Sequence, residues 1–461
     1  MRSTSPLGPE LLLALVGSRS RPLRAQLESG LREAIREGRL APGARMPSSR
    51  ALAADLGLSR SLVVQAYEQL LAEGYLTARR GAGTFVAHAL RQRLDEPRAA
   101  APAAPRYDFF PGAPDLAAFP RARWLRALRD VLRTAPPSIF AYPDVRGLPE
   151  LRFALADYLR RARAVIASGE SVMVSSGATQ ALALLARALV QLGHREIAVE
   201  DPCLPAHRAL FAAAGLRVVG VAVDEQGAQV EKLSAPVLLC APAHQLPTGV
   251  VLSPRRRGAL LAWVRQGGLL IEDDYDAELR YDRRPLAALQ GLAPDRVIYV
   301  GSASKTLSPA LRIGWVVLPE QLRAPFIQAR LVDDLGSAAL PQLALAHLLE
   351  HAEYDRHLRA LRRRYRLRRA ALADAVARHL SGCSLSGADA GLHALLHLPG
   401  AVDAEELLFS CEQAGVRVYP LSMHLIEQPP STDAVALGYG NLTASEIELG
   451  IRALAGVLAR L

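Results

Sequence analysis

The sequence predicts an α/β protein in two parts: a small helical N-terminal module ending in a basic β-hairpin, and a large domain with a mainly parallel sheet and a small C-terminal α+β subdomain. Three observations carry this. Apolar runs of strand length (Glu196–Glu200, Val218–Val223, Val237–Ala241, Leu269–Glu272, Val297–Val300, Ile313–Leu318) alternate with helical stretches such as Ala178–Leu192 and Arg255–Gln266, the pattern of strands joined by crossover helices. Residues 21–86 instead hold three short helical patterns and a hairpin. Between the two regions, Arg98-Ala99-Ala100-Ala101-Pro102-Ala103-Ala104-Pro105-Arg106 reads as a partly stiff linker. The expected division is 16–88 for the head, 89–106 for the linker and 107–461 for the body, with an Arg-rich helical region, Leu340–Ala377, leading into the tail.

Half of the 461 residues are apolar, enough for a sizeable core and a further domain. The formal charge is +10, and residues 1–90 carry 12 Arg against 7 Asp and Glu, so the first fifth of the chain holds half the net charge. That asymmetry favours a polyanion-binding N-terminus. The four cysteines (Cys203, Cys240, Cys383, Cys411) lack metal-ligand spacing and read as reduced, cytosolic thiols, with no metal site implied. The apolar run Leu11–Val16 is far shorter than the roughly 20 residues a membrane span requires, and no cleavage site follows it, so a soluble, cytoplasmic protein without membrane contact is expected.

In the head, Leu27, Leu31, Ala34 and Ile35 share one helical face. Ser48 can cap a short helix, Ala51–Leu56, that Gly57 closes, and Ser59 can cap a third helix running to about Glu73. Two short helices joined at a Gly-containing turn form a helix-turn-helix, whose second helix offers its first residues, here Ser59, Arg60 and Ser61, to base edges. The hairpin that follows has the tip Arg79-Arg80-Gly81-Ala82-Gly83, suited to a phosphate backbone or a minor groove. A protein-docking module with a solvated arginine face is the plainer alternative. The strings Gly43-Ala44-Arg45-Met46-Pro47-Ser48-Ser49-Arg50, Leu56-Gly57-Leu58-Ser59-Arg60, Ala66-Tyr67-Glu68-Gln69-Leu70 and Gly81-Ala82-Gly83-Thr84-Phe85-Val86 resemble the winged helix-turn-helix of the GntR superfamily over residues 21–87. The resemblance implies DNA contacts at Arg50, Ser59 and Arg60. Ser61, Arg79, Arg80 and Gly81 are further candidates, and the implied partner is a double-stranded operator.

The body contains the second of only two lysines, Lys305, in a chain with 53 arginines. Where Lys is a generic positive charge, Arg has replaced it. Arg cannot form an imine, because guanidinium stays protonated, whereas an ε-amine shifts its pKa and attacks aldehydes, so Lys305 is a Schiff-base candidate. Pyridoxal 5′-phosphate needs such an amine, a carboxylate near the pyridine nitrogen, a partner for the 3′-oxygen and a phosphate cup. Lys305 follows the strand Val297–Val300, and Glu272-Asp273-Asp274-Tyr275 follows another, both at carboxyl ends where open α/β sheets place ligands. Ser176-Gly177-Ala178-Thr179-Gln180 opens a helix whose free N–H groups suit a phosphate, with Ser302, Ser304 and Arg312 able to close the cup. Each signal has a plain alternative: an ordinary helix cap, a surface or metal-binding acidic run, an exposed lysine.

In this order, and with Ala141-Tyr142-Pro143, Arg146-Gly147-Leu148-Pro149-Glu150-Leu151-Arg152 and Pro242-Ala243-His244-Gln245-Leu246-Pro247-Thr248-Gly249, the residues resemble the fold type I aminotransferases over nearly all of 107–461. The resemblance implies that Lys305 holds the cofactor as an imine, Asp273 faces the pyridine nitrogen and Tyr275 the 3′-oxygen. It assigns Gly177, Ala178, Thr179, Ser302, Ser304 and Arg312 to the phosphate, and Tyr142 to the phosphate of a partner subunit.

A GntR-like head on an aminotransferase-like body is similar to the MocR/GabR-like subfamily of transcriptional regulators, which implies a homodimer with head-to-tail contacts and a small amine or amino-acid effector. Three positions depart from a working transaminase. Leu204 stands where an aromatic ring stacks on the cofactor, Leu246 where an Asn bonds the 3′-oxygen, and Ala436 where an Arg grips the substrate carboxylate. Without that bidentate clamp, transamination of α-amino acids is expected to be poor, with residual turnover at most. Arg208 and His207 are possible effector contacts, or plain helix-surface residues. The leading expectation is a regulator that senses an amine by imine exchange at Lys305. The alternatives are an active aminotransferase with a fused DNA-binding head, and a body that serves only as a dimerisation scaffold.

Overall fold

The computed structural model describes residues 22–87, 105–280, 286–387 and 390–461, in two units, Met1–Ala103 and Ala104–Leu461. The run Leu11–Val16 and most of the Ala/Pro linker lie outside the described residues.

In the first unit, α1 (Leu23–Arg36), α2 (Ser49–Leu56) and α3 (Arg60–Ala72) precede the hairpin β1 (Leu76–Arg79) and β2 (Gly83–Val86). The caps are those the residue types dictate. Ser48 Oγ accepts from the Ala51 N–H at 3.1 Å and Ser59 Oγ from Leu62 at 3.3 Å, while Gly57 closes α2 with φ +64°, open to glycine at no steric cost. Leu27, Leu31, Ala34, Val63, Ala66 and Leu70 form the shared core. Tyr67 Oη donates to the Pro47 carbonyl at 3.0 Å and fixes α3 to the chain entering α2.

The second unit opens with β3 (Tyr107–Asp108), α4 (Arg121–Thr134) and α5 (Pro149–Arg163). Its large domain then runs β4 (Val172–Ser175), α6 (Ala178–Gln191), β5 (Glu196–Asp201), α7 (Pro205–Ala213), β6 (Arg217–Asp224), β7 (Gly227–Ala228), β8 (Val237–Cys240), α8 (Pro254–Arg265), β9 (Leu269–Asp273), β10 (Val297–Ser302), β11 (Gly314–Val317) and α9 (Glu320–Leu331). The eight strands lie in the order β4-β11-β10-β9-β8-β5-β6-β7. Neighbours from β10 through β9, β8 and β5 to β6 are parallel, and β11 runs antiparallel to both β10 and β4. Alternate side chains enter different cores. Val174, Tyr299, Trp315 and Val317 pack with α4, α5 and α10 (Ala339–Glu350), whereas Met173, Ile298, Val300 and Val316 pack with α6 and α9.

The helical region expected over Leu340–Ala377 is two helices, α10 and α11 (Glu353–His379), because Ala352 turns left-handed at φ +53°. The tail follows: β12 (Ser384–Ser386), β13 (His393–Asp403), α12 (Ala404–Gln413), β14 (Val416–Arg417), β15 (Tyr419–Pro420), β16 (Ser431–Gly438) and α13 (Ala444–Leu458). Its sheet, β12-β13-β16-β15, is antiparallel and buries Leu396, Val435 and Leu437 against α11 and α13.

One buried ion pair joins α5 to the residues after β9. Arg163 Nε meets Asp274 Oδ2 at 2.7 Å with both side chains 1% exposed, and Tyr299 Oη donates to the same oxygen at 2.5 Å. Replacing Arg163 with Met leaves a buried carboxylate without its cation, and is expected to lower stability by about 3–5 kcal/mol. Urea unfolding followed by tryptophan fluorescence reads this unit alone, since Trp124, Trp263 and Trp315 all lie in it.

Candidate functional site

The sheet's register brings distant residues to one edge. Val300 pairs with Asp273, Cys240 with Glu272, Ser302 with Gly314, and Gly314 with Ser175. The ends of β8, β9, β10 and β4 therefore align, Lys305 follows three residues beyond β10, and α6 starts three residues beyond β4. This is the carboxyl edge, where such sheets take ligands.

The acidic run at the end of β9 is not a surface run. Glu272 accepts the Leu289 and Gln290 N–H groups, each at 2.9 Å. Asp274 has Arg163 and Tyr299, Asp276 has His244 at 2.8 Å, and Glu278 accepts from Tyr158 Oη at 3.4 Å. Among the described residues Asp273 alone of the five has no side-chain hydrogen bond, and its Oδ1 is buried without a partner. Burial, then the nearby Asp274, Asp276 and Glu200 carboxylates, push its pKa up to about 7, against the pull of Lys305. A buried acceptor lacking a donor fits a protonated ring nitrogen such as that of a pyridine.

Lys305 is largely buried, which lowers its pKa; Asp276 and then Asp273 oppose the shift. The Gly112 backbone lies against its amine, so that a Cβ at Gly112 would come within 3.1 Å of Nζ. Tyr275 Oη sits 3.1 Å from His244 Nδ1, and burial, with the Asp276 and Asp273 carboxylates, holds the phenol protonated by raising its pKa well above the ordinary value.

Gly177 (φ +94°) precedes α6 with no side-chain cap, leaving the first N–H groups, including those of Ala178 and Thr179, open to a ligand. The Arg312 guanidinium donates to the Ser176 carbonyl. A Cβ on Gly177 would meet Arg312 Nη2 at 3.0 Å, and one on Gly314 would meet the Gly177 carbonyl carbon at 2.6 Å, so both glycines are required for the approach. Ser302 Oγ accepts from the Ser304 N–H at 3.4 Å beside them. Gly177, Ala178, Thr179, Ser302, Ser304 and Arg312 thus meet in one cup. Tyr142 does not join it: its side chain is 88% exposed.

The three departures also find places. Leu204 and Leu246 line one cavity with Asp273, Tyr275, Glu200 and His207. Ala436 is fully buried, paired with Leu395 and Tyr419 and packed with Ala434 and Leu421, so its surroundings are apolar. Arg208 Nη1 donates to the His424 carbonyl at 3.1 Å. Burial lowers the His207 pKa to about 4, which keeps its ring neutral. Four residues without an assigned role in the sequence reading stand close to this chemistry: Arg163, Glu200, His244 and Asp276. Glu200 is buried on Cys240 and the Ala241 N–H, its pKa pushed up to about 7 by burial.

In the head, Arg50, Ser59, Arg60, Ser61, Arg79, Arg80 and Gly81 are all exposed. Most arginines described in this unit fall into two groups, Arg36 lying instead on Tyr75 and Arg45 beside Gly83. Arg24 and Arg32 pair with Glu28, Arg32 also with Glu73, and Arg39 with Glu37. Among the described residues no carboxylate pairs with Arg50, Arg60, Arg79 or Arg80, and Arg79 lies 4.9 Å over the Phe85 ring. The cationic groups near the start of the helices and at the hairpin tip are thus free for phosphates. Ser59 spends its acceptor on Leu62 and lies 3.2 Å from Ser61 Oγ, so its cap role comes first.

Residues 23–86 match the model of bacterial regulatory proteins of the gntR family, and residues 112–449 that of class I and II aminotransferases. The chain is 35% identical to the probable rhizopine catabolism regulatory protein MocR of Rhizobium meliloti, over 94% of this chain and 93% of that one. This chain belongs to the MocR-type GntR regulators. The MocR-type regulator is also 33% identical to the pyridoxine biosynthesis regulator PdxR of Corynebacterium glutamicum (94% and 95% covered) and 32% identical to TauR of Rhodobacter capsulatus (95% and 96%). Its body shares the fold of Pyrococcus horikoshii kynurenine aminotransferase at TM-score 0.71 and 24% identity, covering 77% of this chain and 90% of that one. Thermus thermophilus LysN, an α-aminoadipate aminotransferase solved with N-(5′-phosphopyridoxyl)-L-leucine, gives 0.70 and 25%, with 77% and 93% covered. The MocR-type regulator is a DNA-binding transcription regulator with an aminotransferase-like body. The unpartnered Asp273 oxygen, the buried amine of Lys305 and the open α6 N-terminus fit pyridoxal 5′-phosphate as its cofactor.

Asp273, Glu200 and Glu272 have pKa values of about 7 in the folded chain, whereas unfolded carboxylates titrate near pH 4. Between those values these three groups bind more protons in the folded chain than in the unfolded one, so their contribution to the stability of the cofactor-free protein falls as pH rises from about 4 to about 7, against the opposite contribution of buried histidines such as His207 and His424. Asp273→Asn is expected to flatten that fall, checked by Tm from pH 5 to 7.5; an unchanged slope would show that Asp273 titrates normally.

Proposed function

We propose that this MocR-type regulator binds a double-stranded operator through its head and senses a small amine or amino acid at Lys305. The carrying observation is the company of Asp273 and Lys305: a buried acceptor with no donor beside a buried amine of lowered pKa, at the carboxyl edge of the sheet. When bound, the cofactor supplies an aldehyde carbon for which Lys305 and an incoming amine compete. Gly177, Ala178, Thr179, Ser302, Ser304 and Arg312 hold its phosphate, Asp273 its ring nitrogen and Tyr275 its 3′-oxygen.

Effector and operator are linked if the operator-competent state has a different affinity for the amine, since a ligand shifts an equilibrium only by its differential affinity. The apolar surroundings of Ala436 support sensing over efficient transamination, because no guanidinium stands there to orient an α-carboxylate. The same reading takes 16–88 as the head, 89–106 as the linker and 107–461 as the body of a cytoplasmic homodimer with head-to-tail contacts. The exposure of Tyr142, together with Phe140 (64%) and Leu125 (58%), supports a partner surface there.

Purified protein is expected to show visible imine absorbance that Lys305→Ala abolishes; absorbance that survives would overturn the assignment. In the head, Arg60→Ala is expected to weaken specific binding by about 1–3 kcal/mol if it reads a guanine. Titrations on operator and random duplex at one salt concentration separate this from a backbone contact, which would cost the same on both.

A further inference from the structure

We infer that His244, clamped by Asp276, is a positioning residue that aims the Tyr275 hydroxyl proton into the cofactor site. The inference rests on the cofactor reading above, but its argument is the hydrogen-bond sense around one ring. His244 Nδ1 lies 2.8 Å from Asp276 Oδ2 and 3.1 Å from Tyr275 Oη, and Nε2 lies 3.3 Å from the Gly387 carbonyl. A carboxylate and a carbonyl only accept. Both ring nitrogens therefore carry protons, and His244 is an imidazolium. Nδ1–H faces the Tyr275 oxygen as well as the carboxylate, so that oxygen is an acceptor on the His244 side; Asp276 also draws weakly on the phenol proton, but that carboxylate is engaged by His244 at 2.8 Å, which leaves the proton able to turn into the site. Leu246, on the wall of the same cavity, has no group to share that task.

The surrounding charges agree. Burial alone would depress the His244 pKa, but Asp276 outweighs it and the value stands above that of an ordinary histidine. His393, 4.8 Å away ring to ring, is pushed well below the ordinary value by burial and then by His244 itself, with smaller contributions from His424 and Lys305. The other groups facing the pair are Asp273 and Glu200, which raise the Tyr275 pKa, and Arg280, which opposes charge on His244. The packing is tight: a Cβ on Gly391 would come within 2.3 Å of both Asp276 Oδ2 and the His244 ring. His244, Asp276 and His393 offer donor atoms within 4.8 Å of one another, but the Nδ1 a cation would need is committed to Asp276, which favours the positioning role over a metal site.

A hydroxyl donating to the 3′-oxygen favours the form of the site that has lost a proton, so removing the donor raises the pH midpoint of the cofactor's visible absorbance. The test is that midpoint in full-length protein loaded with pyridoxal 5′-phosphate, for wild type, Tyr275→Phe, His244→Leu, His244→Asn, Asp276→Asn and the His244→Leu/Tyr275→Phe double variant. Tyr275→Phe and His244→Leu are each expected to raise it by about one pH unit or more, and the double variant by no more than Tyr275→Phe alone. His244→Asn keeps an N–H near the Nδ1 position and is expected to restore most of the shift, which a merely structural role would not predict. An unmoved midpoint in His244→Leu, or additive shifts in the double variant, would overturn the inference while leaving the cofactor reading intact. Absence of absorbance in wild type would overturn both. Should His244→Leu not fold, Asp276→Asn carries the same expectation and the same contrary outcome.

Discussion

The rest of this site depends on how five carboxylates are accommodated within seven residues at the end of β9. Buried charges are costly unless paired, and the fold supplies separate partners for four of the five: two backbone N–H groups for Glu272, a guanidinium and a phenol for Asp274, an imidazole for Asp276, a phenol for Glu278. Those partners come from α5, β10, the segment after β8 and the chain before β10, so the acidic run draws elements together from across the domain. What remains is Asp273, surrounded by committed neighbours and itself uncommitted. Under the function proposed above, a protonated ring nitrogen completes the set.

Much of this was legible in the residues. The alternation of apolar runs and helical stretches predicted the mixed sheet, and Lys305 stood out by usage in an arginine-dominated chain. The strand β4, only four residues long, escaped because so short a run has no period to read, although it sets the depth of the α6 N-terminus. The break at Ala352 escaped too, since alanine carries no turn signal, yet its backbone is left-handed between α10 and α11. His244 was in view only as one letter of a string, because its role comes from Asp276, 32 residues away, and from a carbonyl 143 residues away. Contacts at that separation exist only in the folded chain.

The head shows why charge counts alone mislead. Arginines are frequent throughout, and three on α1 and the turn after it answer nearby glutamates. Among the described residues those near the start of α2, at the start of α3 and at the hairpin tip have no such answer, and the caps Ser48 and Ser59 fix where the two helices begin. Electrostatic capacity for a polyanion is therefore set by the placing of acidic residues as much as of basic ones.

The scarcity of lysine has a chemical consequence of its own. With Lys232 exposed and Lys305 buried at lowered pKa, the side-chain amines of this protein have two addresses that differ in both accessibility and basicity. Inside the body an aldehyde meets a single side-chain amine, whose burial favours its neutral, nucleophilic form, while Lys232 is the one other amine of its kind in the sequence. The arginine-rich exterior is in this sense inert ground around a single reactive point, and the selectivity of the pocket begins outside it.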